Sequence, residues 1–143
     1  MLTEEEMDAL QLHPLKQHGS THQEGIDPIP PQTKAICFNF GTAAVGTKLA
    51  QVLIPFPVSV VKVKIYGDTA PTGASLIVDV NKNGTTIFTT QANRPEIAIG
   101  ENSDDSELPD VRALAEGDRL SIDIDQVGST IPGGDDFLVT VII

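Results

Sequence analysis

The sequence contains few aromatic residues and no tryptophan. Phe, Tyr and Trp together make up 4% of its 143 residues, and Tyr66 is its one tyrosine. A hydrophobic core must therefore consist of aliphatic side chains, and Val and Ile are frequent in the apolar runs. Because β-branched residues fit the pleated surface of a sheet better than a helix, this composition favours strands. The length fits one domain with one core.

Cysteine is nearly absent as well, since Cys37 is the only one, and this excludes an internal disulfide. Cys37 stands in the apolar run 35–38, where we expect a buried, small hydrophobic side chain rather than a catalytic thiol. No apolar stretch approaches the ~20 residues of a membrane helix. The acidic start, Glu4 to Glu6, lacks the apolar centre of a signal peptide. We therefore expect synthesis in a cytoplasm and no membrane partner.

Basic residues are also scarce. The chain has 9 Lys and Arg against 20 Asp and Glu, a net charge of −11, which argues against nucleic acid as a partner. It has no phosphate-binding glycine loop and no GxSxG, HExxH or CxxC motif. All three histidines precede residue 34, so a Ser-His-Asp arrangement is excluded after it. We expect no catalytic residue and no cofactor.

The composition changes near residue 34. Thr3 and Glu6 match a capping box, so residues 4–12 are compatible with a short helix that Pro14 ends. Residues 17–33 are polar and rich in proline, without periodicity. We predict that residues 1–34 form an extended arm that becomes ordered on a partner. Its apolar anchors would be Leu10, Leu12, Leu15, Ile26 and Ile29.

From residue 35 onward, apolar and polar residues alternate with the period of a strand. Strands are predicted at 35–40, 49–54, 58–66, 76–81, 85–90, 97–99, 120–125 and 137–143. Val61, Val63 and Ile65 would share one face, and 111–115 suits either a helical turn or a crossing strand. Asn83-Gly84 predicts a hairpin. The pattern predicts an all-β domain over 35–143, an antiparallel β-sandwich of jelly-roll type.

Two groups of carboxylates are candidate sites. Five lie close together in the segment 100–110 and repel each other unless a cation or basic partner neutralises them. They predict either a cation-binding loop or a mobile solvated loop, and they are Glu101, Asp104, Asp105, Glu107 and Asp110. Asp79, Asp123 and Asp125 follow the polar positions of two strands. A solvated sheet face explains them, and acid–base catalysis or cation binding is the alternative.

Two further motifs involve metals. Residues 79–84 match the start of a calcium loop, but its twelfth position is Thr90, which has no carboxylate, so the hairpin explains them better. His18 and His22 are four residues apart, in a segment whose glycine argues against a helix. In a trimer, one histidine from each chain could meet on the axis, which gives a metal site without further ligands.

Three segments resemble parts of tailed-bacteriophage structural proteins. Residues 17–29 read QHGSTHQEGIDPI, which is similar to the H-x-S-x-H-x-x-G-G-x-D-P-I linker of phage fibre and appendage proteins, with one glycine in place of two. Residues 73–84 and 117–129 read GASLIVDVNKNG and GDRLSIDIDQVGS. Both resemble strands of phage head and tail β-modules. One of the three segments lies in the arm and two lie in the predicted domain.

The resemblance implies a non-enzymatic virion protein, assembled in the host cytoplasm and forming a homotrimer. A short free-standing chain of this kind suits a capsid decoration (cement) protein or a head fibre. The arm would lie on the major capsid protein or another virion protein, or exchange with a neighbouring subunit. The alternative is a tail-fibre or receptor-binding module for host-surface glycan. Sugar rings stack on exposed aromatic side chains, and Tyr66 and five Phe are the aromatic residues of the chain. A glycosidase using the Asp pairs is a third hypothesis.

Overall fold

The computed structural model describes residues 32–143, which form an all-β unit. The predicted all-β class is thus confirmed for this part of the chain. The unit has eleven strands, and a short 3-10 turn at Gln91–Asn93 separates the sixth from the seventh. The strands are β1 (Ala35–Asn39), β2 (Gly46–Leu53), β3 (Val58–Ser59), β4 (Lys62–Tyr66), β5 (Leu76–Lys82), β6 (Thr85–Thr86), β7 (Glu96–Ile97), β8 (Ser103–Asp105), β9 (Ala113–Leu114), β10 (Arg119–Gln126) and β11 (Leu138–Ile142).

The strands form three sheets in which every pairing is antiparallel. The first sheet has the order β1-β11-β4-β8. The second has the order β2-β10-β5-β6, and β7 pairs with another part of β5. β3 and β9 form a small sheet of their own. Within residues 32–143, β1 and β2 are therefore edge strands of the two larger sheets.

Both larger sheets contribute side chains to one hydrophobic core, because alternate residues of each strand point to the same face. The central strands supply residues that are at most 2% exposed, and burying each such side chain contributes about 1.5–3 kcal/mol. They are Val63, Ile65, Val139 and Val141 from the first sheet, and Leu76, Val78, Val80, Leu120, Ile122 and Ile124 from the second. The core is aliphatic, as the composition predicts, with Phe88 and Phe137 as its fully buried aromatic residues.

The predicted hairpin at Asn83-Gly84 is confirmed. It joins β5 to β6, and both residues have positive φ, 52° and 88°, as a type I′ turn requires. The return strand, however, ends at Thr86 instead of residue 90. Ile87 and Phe88 are fully buried, and the Thr86 hydroxyl accepts a hydrogen bond from the Phe88 N–H at 3.0 Å. The chain therefore leaves the sheet to fill the core.

The single strand predicted over 58–66 is wrong, because the chain changes partners within it. The Val60 N–H donates to the Arg112 carbonyl, whereas the Val61 N–H donates to the Ile142 carbonyl. Val60 is fully buried and Val61 is 41% exposed, so Val61 does not share the buried face of β4. β3 consequently pairs with β9, while β4 joins the first sheet.

The structure also decides the environment of Cys37 and the conformation of the segments 100–110 and 111–115. Cys37 is exposed, because Ile36 and Phe38 are the β1 residues that pack against the core. The segment 100–110 is not a continuous loop, since Ser103–Asp105 forms β8 at the edge of the first sheet. The ambiguous segment 111–115 contains a strand, β9. Residues 1–31 of the predicted arm, with its helix at 4–12 and its anchors, lie outside the described residues, and the domain boundary at 34 stays a prediction.

Candidate binding groove

An apolar groove of about 280 Å³ lies between the start of β1 and the end of β2. The first sheet supplies one wall and the second sheet the other. Nine of its ten lining residues are apolar, and they are Lys34, Ala35, Ile36, Val52, Leu53, Ile54, Pro55, Phe56, Val58 and Ile143. We call this feature the β1–β2 groove.

The groove is open because both of its strands lie at the edge of a sheet. Ile36 of β1 lies directly opposite Val141 of β11, and Val52 of β2 lies opposite Leu120 of β10. Val141 and Leu120 are fully buried, whereas Ile36 and Val52 are only half-buried although they pack against the same core. The edge residues therefore keep apolar surface in water that another chain segment can cover.

The rim of the groove is more exposed than its floor. Leu53 is 66% exposed and Phe56 is 43% exposed. Pro55 and Pro57 flank Phe56, and since proline has no N–H to donate, they end the strand and hold Phe56 outside the sheet. The Lys34 ammonium lies 5.1 Å from the centroid of the Phe56 ring, a cation–π contact. Lys34 is the charged residue of the groove.

The β1 wall of the groove is attached to β11 by backbone hydrogen bonds. The Lys34 N–H donates to the Ile143 carbonyl and the Ile143 N–H donates to the Lys34 carbonyl, both at 2.8 Å. Pairing alternates along an antiparallel strand, so Ala35, Cys37 and Asn39 direct their backbone groups away from β11. Among residues 32–143, β1 pairs with β11 alone. Its outer edge thus offers a row of donors and acceptors to an extended peptide.

The carboxylates of the second sheet form a different kind of arrangement. Asp79 is only 7% exposed, so the solvated face predicted for it is wrong. Its Oδ1 accepts hydrogen bonds from the Thr86 hydroxyl at 2.6 Å and from the Val80 N–H at 2.8 Å. Burial raises the pKa of Asp79 above its usual value, although these two bonds act in the opposite direction.

Asp123 and Asp125 have structural partners of their own. Asp123 accepts a hydrogen bond from the Asn81 amide at 2.9 Å and another from the Lys48 N–H at 2.6 Å. Asp125 forms an ion pair with Arg94. Asp79 and Asp123 lie opposite each other in the β5–β10 register, but each carboxylate bonds to different groups. The arrangement fixes the hairpin and the β2 edge.

The five carboxylates of the 100–110 segment also point to separate places. Asp105 pairs with Lys62 at 3.3 Å and with Lys64 at 3.1 Å. Desolvation raises its pKa, but the hydrogen bonds from the two lysines outweigh this, so the pKa of Asp105 is lowered. Asp104 accepts a hydrogen bond from the Glu96 N–H at 2.8 Å.

The remaining three residues of that segment differ in their surroundings. Asp110 accepts hydrogen bonds from the backbone and hydroxyl of Thr90 at 2.8 and 3.1 Å, and the backbone bond is the main reason that its pKa is lowered. Glu101 and Glu107 are exposed. Within residues 32–143, no three or more Asp, Glu, His or Cys side chains are grouped as a metal site would need. His18 and His22 lie outside this range.

No protein-family model matches the chain, and a search of curated proteins found no significant match. Among the residues that the structure describes, no helix has the length and apolar character to cross a membrane.

The β1–β2 groove was not predictable from the sequence, because its walls come from three distant segments, at 34–36, 52–58 and 143. The one local signal is Phe56, a large apolar residue between two prolines directly after a strand. Such a residue has no sheet position to occupy and remains at the surface.

Proposed function

We propose that this chain is a structural component of a phage virion, a homotrimeric capsid decoration or head-fibre protein that attaches through its N-terminal arm to the major capsid protein or another virion protein. The resemblance of residues 17–29, 73–84 and 117–129 to phage structural proteins supports this proposal. So does the strong negative charge, which suits a protein surface as partner better than nucleic acid.

We also propose that the fold is a jelly-roll sandwich. A jelly roll is a long antiparallel hairpin folded over on itself, which produces a nested series of strand pairs. Five hydrogen-bonded pairs are nested in this way here: β1 with β11, β2 with β10, β3 with β9, β4 with β8, and β5 with β6. The core shared by both larger sheets supports a two-layer arrangement. This architecture recurs in viral capsid domains.

The observation that carries the proposed function is the β1–β2 groove. It exposes Leu53 and Phe56 beside half-buried Ile36 and Val52, on a chain with a net charge of −11. Contiguous apolar surface of this kind marks interaction sites. Covering it contributes about 25 cal/mol per Å² of apolar area. When three copies in one assembly each make this contact, their combined affinity for the particle exceeds that of a single contact.

Electron microscopy of particles that lack this protein tests the assignment. Purified full-length chain added to such particles is expected to restore regularly spaced density on their surface. A chain lacking residues 1–33 is expected to keep its β circular dichroism spectrum but to leave the particles bare. Attachment of the truncated chain at the full-length level would refute a role for the arm. Failure of the full-length chain to bind any particle would refute the virion assignment.

A second candidate function, recognition of host-surface glycan, has one observation in its favour. Tyr66 lies on the outer face of the first sheet, 42% exposed, in a shallow depression of about 230 Å³. Lys64, Ser103 and Asp105 border the same depression. An exposed ring beside polar groups can stack on a sugar and hydrogen-bond to its hydroxyls. Loss of binding to host cells in Tyr66→Ala, with normal particle assembly, would favour this function.

A further inference from the structure

We propose that the β1–β2 groove receives residues 26–31 of a neighbouring copy of the chain. The segment reads Ile-Asp-Pro-Ile-Pro-Pro and immediately precedes the described part of the protein. This inference rests on the proposed function, because an exchanged segment requires several copies in one assembly. It goes further in naming the site and the occupant that join one copy to the next.

The chemistry of the segment matches that of the groove. Ile26 and Ile29 supply apolar side chains for a site whose lining is apolar at nine of ten positions. Asp27 lies between them and is complementary in charge to Lys34, the charged residue of the groove. The arm as a whole is acidic, with three consecutive Glu near its start.

The prolines of the segment suit it to an open groove at a sheet edge. Pro28, Pro30 and Pro31 each fix φ, and a residue that precedes a proline favours an extended backbone. An extended segment that is already restricted loses less conformational entropy on binding. In a polyproline II conformation, which has three residues per turn, Ile26 and Ile29 lie on the same side of the segment and can both enter the groove.

The connection to β1 favours a neighbouring copy over the same copy. Lys34, whose own backbone is held against Ile143, forms part of the groove wall. Within one copy, Gln32 and Thr33 alone join residues 26–31 to Lys34, so two residues, about 7 Å of extended chain, set where the segment can lie. The segment of a second copy has no such constraint. Exchange of identical segments between copies is a low-cost route to a closed assembly.

Disulfide cross-linking of the full chain tests this proposal. Cys37 is first replaced by Ala so that each variant carries only introduced thiols. One population carries Ile29→Cys, and a second carries Leu53→Cys at the groove rim. A matched control population carries Leu138→Cys, which is 38% exposed on the outer face of the first sheet. Pairs of populations are mixed under mild oxidation, and a chain with both Ile29→Cys and Leu53→Cys is oxidised alone.

We expect the mixture of Ile29→Cys with Leu53→Cys to give a covalent dimer at least tenfold more abundant than the mixture with Leu138→Cys. Equal dimer yields from both mixtures would overturn the proposal, as would no dimer in either. If the doubly substituted chain closes only within itself, the arm occupies its own groove and exchange is wrong.

Cross-linking between copies and binding to particles can each succeed or fail independently of the other. A chain that cross-links as expected but never binds particles would leave the exchange intact and refute the virion assignment. A chain that decorates particles through its arm but does not cross-link at Leu53 would keep the virion assignment and refute this use of the groove. Phe56→Asp gives a second reading, since it should lower the mass of the assembly in light scattering while Leu138→Asp leaves it unchanged.

Discussion

Replacing Gly67 by Ala is expected to destabilise the folded unit, because two backbone segments pass very close to each other there. A Cβ at Gly67 would lie 2.4 Å from the Gly134 Cα and 3.0 Å from its nitrogen. These are backbone atoms, and both segments are fixed. The Gly67 N–H donates to the Asn102 carbonyl at 2.9 Å, and the Gly134 N–H donates to the Thr69 carbonyl at 2.7 Å.

Relief of that contact requires one segment to move by about 1 Å and to strain its hydrogen bond, which for overpacked sites costs about 1–3 kcal/mol. Gly41→Ala is the matched control, because a Cβ at Gly41 meets nothing within 4 Å. At such a site, Ala is expected to be neutral or to stabilise by up to ~1 kcal/mol through the unfolded state.

Urea denaturation of the two variants and the wild type measures the difference directly. We expect Gly67→Ala to lower the free energy of unfolding by about 1–3 kcal/mol with an unchanged slope, and Gly41→Ala to leave it within ~1 kcal/mol. Equal stability of the two variants would refute the close approach of the turn after β4 to the loop before β11, and with it the packing of this end of the unit.

Two other substitutions test the second sheet. Because the pKa of Asp79 is raised in the folded state, the folded chain binds more protons, and wild-type stability should fall as pH rises from the ordinary carboxyl pKa, about 3.9, through the raised one. Asp79→Asn keeps the Oδ1 acceptor but cannot ionise, so the free energy of unfolding of the variant should rise relative to that of the wild type between about pH 3.5 and pH 7, as measured by urea denaturation. A constant difference between the two free energies over this pH range would contradict the raised pKa. Gly84→Ala should cost about 1–2 kcal/mol, because the φ of 88° is unfavourable for a residue with a Cβ, although a Cβ there would meet no neighbour. A melting temperature equal to that of Gly41→Ala would show that the turn is not of type I′.

The all-β class followed from the sequence because alternation is a local property of the chain. Leu120, Ile122 and Ile124 alternate with polar residues, and all three are buried in β10. The hairpin at Asn83-Gly84 was predictable for the same reason, since two adjacent residues determine the turn.

Other elements were not predictable, because tertiary contacts decide them. β8 has the sequence Ser-Asp-Asp, which carries no apolar alternation, and it exists because its backbone pairs with β4 while Lys62 and Lys64 neutralise Asp105. Cys37 lies in a run that is apolar at every position, so alternation cannot tell which side faces the core. The division of 58–66 depends on a change of partner strand at Val61.

The hydrogen-bond partners of the carboxylates were also not predictable, because tertiary contacts decide them. Their density in the sequence predicted a shared cation site or a solvated surface, but it could not reveal that Asp79 is buried and accepts a hydrogen bond from the Thr86 hydroxyl. The groove was hidden for a simpler reason, since its walls meet only after both sheets have formed.

The mass of the purified full-length chain in solution, measured by light scattering, tests the central claim most directly. That claim is that the chain works as an assembly of identical copies. We predict a mass three times the 15.2 kDa of one chain, persisting at micromolar concentration. A mass of one chain under the same conditions would contradict both the trimer and the exchanged segment.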